Sequence, residues 1–157
     1  MKQTPDEKQI LVNFQPGHIT QAGFLGTDTR HLHEIIHADA VILARLNIST
    51  EQIADKLQIL LDTAKAAMES SVTIDDFNVR STWTKGVLPC PFADPGVHDK
   101  VQVTVIREST GESIVFSQLN IHLIKAHGFF QGVGSNYRLE PEHLVSFLKL
   151  TPEVEID

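Results

Sequence analysis

The chain has 157 residues, of which 41% are hydrophobic and 21% are charged, and this composition is typical of a globular domain and excludes a disordered or fibrous chain. A net charge of −7 disfavours binding to nucleic acid or to an anionic membrane surface. No apolar run approaches the roughly 20 residues of a membrane span. The single cysteine excludes an intramolecular disulfide and is typical of a reducing compartment. We therefore predict a cytoplasmic protein without a nucleic-acid or membrane partner.

The course of the chain indicates one domain without repeats or internal linkers. Residues 1–8 are expected to form a disordered tail, residues 9–150 a single α+β domain, and residues 151–157 a second tail. Within the domain, residues 9–15 resemble a short strand that Pro16-Gly17 ends.

Two consecutive segments then have the apolar periodicity of amphipathic helices. The first runs from about Arg30 to Leu46. The second follows Ser49, which forms a capping box with Gln52, and extends to about Glu69. Because only two or three residues connect these segments, we predict an N-terminal helical hairpin.

The next part of the chain alternates between polar and β-branched or aromatic side chains, as strands do. Residues 77–84 and 101–105 show this pattern most clearly. The turn at Thr110-Gly111 leads into a further strand at 114–116. We therefore predict a small antiparallel sheet of about three to four strands.

Two C-terminal helices complete the predicted fold. Ser117 caps the first of them and Gly128 ends it, while Pro141 opens the second at a position where proline is tolerated. The predicted fold class is α+β.

The string His33-Glu34-Ile35-Ile36-His37 matches the motif of zincin metalloproteases. Two histidines four residues apart on a helix can share a zinc ion, and the glutamate between them can take a proton from zinc-bound water. Glu51 is the candidate third ligand. The string supports a zinc-dependent hydrolase with His33 and His37 as ligands and Glu34 as catalytic base. The helical wheel, however, places both histidines opposite the apolar stripe, as expected for exposed side chains that match a short motif by chance.

A carboxylate falls inside the apolar stripe of the same predicted helix. Asp39 is expected to be buried there, and a buried carboxylate needs a partner. Arg80 on the first clear strand is the candidate partner. The pair would then tether the helix, or Asp39 would take an acid–base role.

A second candidate metal site combines Cys90 with His98, His122 and His127, one thiolate and three imidazoles. Prolines on both sides of Cys90 hold its thiol on a stiff loop. Four residues separate His122 from His127, and this spacing lies within the range for zinc-binding histidine pairs. Since positions five apart in a helix diverge by about 140°, His127 is expected to reach a shared ion only if the helix loosens before Gly128.

Two alternatives stay open for these residues. The two late histidines would be boundary side chains beside an apolar helix face, with Cys90 packed as a small hydrophobic residue. Alternatively, Cys90 would be a nucleophile with a histidine base.

Residues 131–138 form a glycine-containing loop that could bind a phosphate or a carboxylate. Its glycines, Gly132 and Gly134, would let backbone N–H groups converge on the anion, with Ser135 and Arg138 as further ligand-binding residues. The alternative is a tight connection between two helices.

Two stretches of the chain are distinctive: Leu88-Pro89-Cys90-Pro91-Phe92 and Ile121-His122-Leu123-Ile124-Lys125-Ala126-His127-Gly128-Phe129-Phe130-Gln131-Gly132-Val133-Gly134-Ser135-Asn136-Tyr137-Arg138-Leu139. They resemble a family of small, uncharacterised bacterial proteins with no assigned activity. The resemblance extends over residues 23–150. It implies a bacterial cytosolic protein whose special residues lie around the cysteine, the two late histidines and the glycine loop.

These observations favour a small binding or regulatory module of the cytosol, with zinc as the candidate cofactor and a small molecule or a protein as the candidate partner. Phe129, Phe130 and Tyr137 would form either a core plug or a contact surface, and aromatic contact surfaces often carry binding energy. Homo-oligomers formed through that surface are a further expectation. The alternative function is the zinc-dependent hydrolase.

Overall fold

The computed structural model describes residues 5–152, which form an α+β fold as predicted. Its helices are α1 (Pro5–Asn13), α2 (Leu32–Leu46), α3 (Thr50–Ala66), α4 (Gln118–His127) and α5 (Pro141–Phe147). Its strands are β1 (Val72–Ile74), β2 (Phe77–Pro89), β3 (Val97–Arg107) and β4 (Ser113–Ser117), which pair antiparallel in chain order. Residues 1–4 and 153–157, which belong to the two predicted tails, lie outside the described residues.

Helix α1 stands where a strand was predicted at residues 9–15. It also includes residues 5–8, which were assigned to a disordered tail. Ile10, Leu11 and Phe14 pack into an apolar cluster, with Phe14 fully buried. Their spacing of i, i+1 and i+4 fits one side of a helix, whereas adjacent strand residues point to opposite faces, and the strand prediction overlooked this because the apolar run is so short.

The main core lies between the sheet and the helices α3 and α4. The β-branched positions of β2 and β3 supply its sheet side, where Val79, Val103 and Val105 have no exposed surface. Leu57 and Leu60 of α3 cover them. This burial explains why the alternating pattern of residues 77–84 and 101–105 predicted the strands correctly.

The predicted helix boundaries rest on capping residues, and several of them are confirmed. Ser49 and Gln52 form the capping box of α3, Ser117 caps α4, and Gly128 ends α4 in a left-handed conformation. The two N-terminal helices of the predicted hairpin follow one another, but α2 packs mainly against α5, whereas α3 packs against α4 and the sheet. Among residues 5–152, no helix combines the length and the apolar character needed to cross a membrane.

Asp39 is buried in α2, as predicted, but its partner is Arg138 and not Arg80. The Arg138 guanidinium donates to both Asp39 oxygens, with distances of 2.8 and 2.9 Å, and its Nη1 also donates to the Gln131 carbonyl oxygen at 2.7 Å. Arg80 is exposed on β2. The sequence could not distinguish these arginines, because the pair joins positions 99 residues apart. The ion pair ties the loop before α5 to α2.

We expect Arg138→Gln to lower the free energy of unfolding by about 3–5 kcal/mol, because the substitution leaves the Asp39 carboxylate buried without its cation. The matched substitution Arg80→Gln changes an exposed side chain and should cost less than about 0.5 kcal/mol. Urea denaturation of the two variants measures the difference. Equal losses would show that the buried pair does not tether the loop.

Candidate metal centre

Four potential ligands from two segments of the chain converge beside the end of α4. Cys90 and Asp94 belong to the loop between β2 and β3, and His122 and His127 belong to α4. The ligand atoms of these side chains all lie within 4.8 Å of one another. Among residues 5–152, no other group of three or more histidine, cysteine or acidic side chains is arranged in this way.

Four of the six distances between these atoms lie between 2.5 and 3.8 Å, and all six are within 4.8 Å. Oδ2 of Asp94 lies 3.1 Å from Nε2 of His122 and 2.5 Å from Nε2 of His127. Sγ of Cys90 lies 3.6 Å from the same His127 nitrogen and 3.8 Å from the Asp94 oxygen. Zinc–ligand bonds of about 2.0–2.3 Å at tetrahedral angles separate neighbouring ligand atoms by about 3.3–3.6 Å. Binding of an ion would require the Asp94 oxygen and the His127 nitrogen to move apart.

Aromatic packing holds the loop against α4. The ring of Phe92 stacks on the imidazole of His127 with a centroid distance of 3.9 Å and an interplanar angle of 15°. Phe92 also makes an edge contact with Phe14, at 4.8 Å. The side-chain amide of Asn13 donates to the carbonyl oxygen of Pro91 at 3.1 Å, so α1 also holds the loop in place.

The backbone of the loop wraps around the Cys90 sulfur. The Ala93 N–H donates to the Cys90 carbonyl oxygen at 3.0 Å, and Ala93 has a left-handed conformation with φ of 67°. The backbone N–H groups of Phe92 and Asp94 lie close enough to the sulfur to lower the pKa of the thiol. Such donors stabilise a thiolate, which is the form of cysteine that binds metals.

Burial nevertheless keeps the Cys90 thiol protonated in the metal-free protein. Cys90 is 2% exposed, and desolvation raises the pKa of its thiol, with a further increase from the charge of Asp94. The N–H groups of the loop oppose this increase without cancelling it. A cation at this position would reverse the balance, because it favours the thiolate directly.

Asp94 is the negative charge of the centre. Burial alone would raise the pKa of its carboxyl group, but the hydrogen bonds and charges of His127 and His122 outweigh burial and lower the pKa below the ordinary value of 3.8. Asp94 is therefore ionised at neutral pH. The sequence prediction missed this residue, because a single aspartate in a loop has no diagnostic spacing, and its position four residues after Cys90 was the one available signal.

Helix α4 does not loosen before Gly128, which was the condition expected for His127 to reach a shared ion. Gly128 N–H donates to the Ile124 carbonyl oxygen at 3.0 Å, and Phe129 N–H donates to that of Leu123 at 3.1 Å, so the helix is regular to its end. His122 and His127 converge because the Asp94 carboxylate reaches between their rings, whose centroids are 5.6 Å apart.

The structure places His98 beside the converging atoms and not among them. Its ring lies 4.5 Å from that of His122, and its buried Nε2 has no hydrogen-bond partner among the described residues. Burial lowers the pKa of His98, and the charge of His122 lowers it further. Asp94 thus occupies the fourth position that the sequence prediction assigned to His98.

The geometry does not favour a nucleophilic Cys90 with a histidine base. In such a relay, one nitrogen of the histidine contacts the nucleophile and the other contacts the carboxylate. Here the same nitrogen, Nε2 of His127, faces both Cys90 and Asp94. The raised pKa of the thiol also works against a nucleophile at neutral pH.

The residues of the zincin motif lie on the surface of α2. His33, Glu34 and His37 are exposed, and Glu51 at the start of α3 is exposed as well. Within residues 5–152 these side chains do not come together as a group of three potential ligands. The hydrolase hypothesis therefore lacks a third ligand at this position.

The glycine loop is a connection between two packed segments. Gly132 N–H donates to the Phe24 carbonyl oxygen at 2.9 Å, and a Cβ on Gly132 would collide with the carbonyl group of Leu25. The Ser135 hydroxyl donates to the side chain of Gln131, and Arg138 is held by Asp39. Gly134 also lies against Thr27. Because these groups bind one another within the chain, the arrangement favours a tight connection between two helices over the predicted anion site.

The aromatic residues of this loop belong to the core. Phe129 and Phe130 have no exposed surface, and the Tyr137 hydroxyl donates to Oε1 of Gln102 at 2.6 Å. Phe129 and Phe130 form the core plug and offer no contact surface for self-association, whereas Tyr137 is partly exposed. The oligomeric state stays a prediction.

The chain matches no protein-family model, no curated protein and no solved structure. The resemblance to small bacterial proteins therefore stays a prediction. The functional argument rests on the geometry of the four converging side chains.

We expect iodoacetamide to alkylate Cys90 of the folded, zinc-free protein with a rate midpoint above pH 9.0, the ordinary pKa of a cysteine. Because burial and the Asp94 charge raise the pKa of the thiol, the thiolate forms only at higher pH. Mass spectrometry follows the reaction at a single site, since the chain has one cysteine. The substitution Asp94→Asn should lower the midpoint. A midpoint below 9.0 in the unaltered protein would contradict this account.

Proposed function

We propose that this protein is a small zinc-binding module of the cytoplasm in which Cys90, Asp94, His122 and His127 hold the ion. The single observation that carries the proposal is the convergence of these four ligand atoms within 4.8 Å. One thiolate, two imidazoles and one carboxylate form a donor set that suits zinc, whereas magnesium and calcium prefer oxygen ligands alone.

Four protein ligands favour a structural or regulatory site over a catalytic one. Catalytic zinc usually has three protein ligands and an open position for water, whereas structural zinc is closed by four. An ion bound here would join the Cys90–Asp94 loop to the end of α4. The proposed role is therefore that of a binding or regulatory module whose loop is fixed by zinc.

Contacts within the chain help to hold the four side chains together. Asp94 holds His122 and His127 through its carboxylate, and Phe92 stacks on His127. Zinc binding would replace these hydrogen bonds and release the proton of Cys90, so zinc affinity should increase with pH. This preassembly suits a protein that takes up and releases zinc without unfolding.

We expect protein purified without a metal-affinity column to contain about one zinc ion per chain, as a single four-ligand site requires. Cys90→Ala and His122→Ala should each weaken zinc binding more than about 100-fold. Loss of a residue that only hydrogen-bonds to a ligand costs at most about 100-fold, and loss of a ligand itself should cost more. Elemental analysis and chelator competition measure the content and the affinity.

The matched controls for this experiment are His33→Ala and His37→Ala, which remove the other histidine pair without touching the centre. Both variants should keep their zinc. Loss of zinc in these variants alone would support the hydrolase, and zinc-free unaltered protein would contradict both metal sites. In the cobalt-substituted protein, the thiolate-to-cobalt charge-transfer band should disappear in Cys90→Ala, which identifies the sulfur ligand independently of affinity.

A further inference from the structure

A cavity of about 280 Å³ lies between the sheet, residues 20–24 and the glycine loop, with Leu119 of α4 in its wall. None of the four proposed zinc ligands lines it. Since a water molecule occupies about 30 Å³ in the liquid, the cavity has room for about nine or ten non-hydrogen atoms. Its volume is therefore that of a small organic molecule, at the lower end of the usual range for ligand pockets.

The walls of the cavity are mainly apolar. Phe24, Val101 and Leu119 are each at most 3% exposed, and Leu88 adds a further apolar side chain. Phe24, Leu88 and Leu119 belong to the same apolar cluster as Phe14 and Cys90. A hydrocarbon chain placed against these residues would remove apolar surface from water, which favours binding.

The cavity also has a cation without a matching anion. Lys100 is half-buried and lines the cavity, and its Nζ lies beside Gly86, between the lining residues Thr84 and Leu88 in the sequence. Lys56, Lys125 and Lys149 each pair with an aspartate, whereas the ammonium of Lys100 has no carboxylate within salt-bridge distance among residues 5–152. A partly buried charge gains most from a counter-ion, because water screens it less than it screens an exposed one.

The walls are fixed before any ligand binds. The glycine loop is tied to residues 24–27 by backbone hydrogen bonds, among them Gly132 N–H to the Phe24 carbonyl oxygen. Gln131 is held in a left-handed conformation, with φ of 73°, while its carbonyl oxygen accepts from Arg138. Strained backbone of this kind is often found at ligand-binding walls. A preformed pocket loses little conformational entropy when it is filled.

We propose that this cavity binds a small amphipathic carboxylate, whose apolar chain lies against Phe24, Leu88 and Leu119 and whose carboxylate pairs with Lys100. Asp99 also lines the cavity, but it is exposed, so its charge is solvated and has less need of a counter-ion than that of Lys100. This difference favours an anionic over a cationic ligand. The site is separate from the zinc proposal and does not depend on it.

Octanoate, with ten non-hydrogen atoms, is the probe. We expect it to shift the backbone amide signals of residues 22–24, 100–102 and 135–137 in ¹H–¹⁵N correlation spectra, in zinc-loaded and in zinc-free protein alike. Lys100→Met should weaken octanoate binding by about tenfold or more, the loss of a charge-assisted hydrogen bond. Lys85→Met, which changes an exposed lysine outside the cavity, should leave the binding unchanged.

Two further measurements test the position of the site and the charge of its ligand. Asn136→Trp places a bulky ring at the exposed rim of the cavity and should abolish octanoate binding without disturbing the core. Octylamine, which has the same chain and the opposite charge, should bind more weakly than octanoate. The proposal fails if octylamine binds as tightly, if Lys100→Met and Lys85→Met behave alike, or if the shifted signals lie elsewhere.

Discussion

The contact between the Cys90–Asp94 loop and the end of α4 determines the position of every polar group in the candidate metal centre. The loop places the Asp94 oxygen 3.1 Å from Nε2 of His122 and 2.5 Å from that of His127. Stacking of Phe92 on His127 and the hydrogen bond from Asn13 to Pro91 hold the loop in this position. Without the contact, the Cys90 thiol and the Asp94 carboxylate would not lie beside the two imidazoles of α4.

The apolar cluster around Phe14 connects this centre to the rest of the molecule. Cys90 belongs to this cluster, as do Phe24 and Leu119, which form walls of the cavity. The glycine loop, fixed to α2 through Arg138 and Asp39, covers the cavity. The cavity and the candidate metal centre are therefore both built against the same group of packed side chains.

The sequence predicted the parts of the fold that depend on local rules. Capping by Ser49 and Ser117, and the alternation of residues 77–84, follow from neighbouring residues alone. It predicted that Cys90 and the two late histidines share a site, but it assigned the fourth position to His98, because histidine is the commoner ligand and the loop geometry that aims Asp94 was not visible. Arg138 was missed as the partner of Asp39 for a similar reason, since pairing across 99 residues is decided by packing.

X-ray absorption at the zinc edge tests the proposed centre most directly, because it counts the ligand atoms around the ion. The account predicts a four-coordinate ion with one sulfur at about 2.3 Å and three nitrogen or oxygen neighbours at about 2.0–2.2 Å. A spectrum with nitrogen and oxygen neighbours alone, and no sulfur, would contradict it.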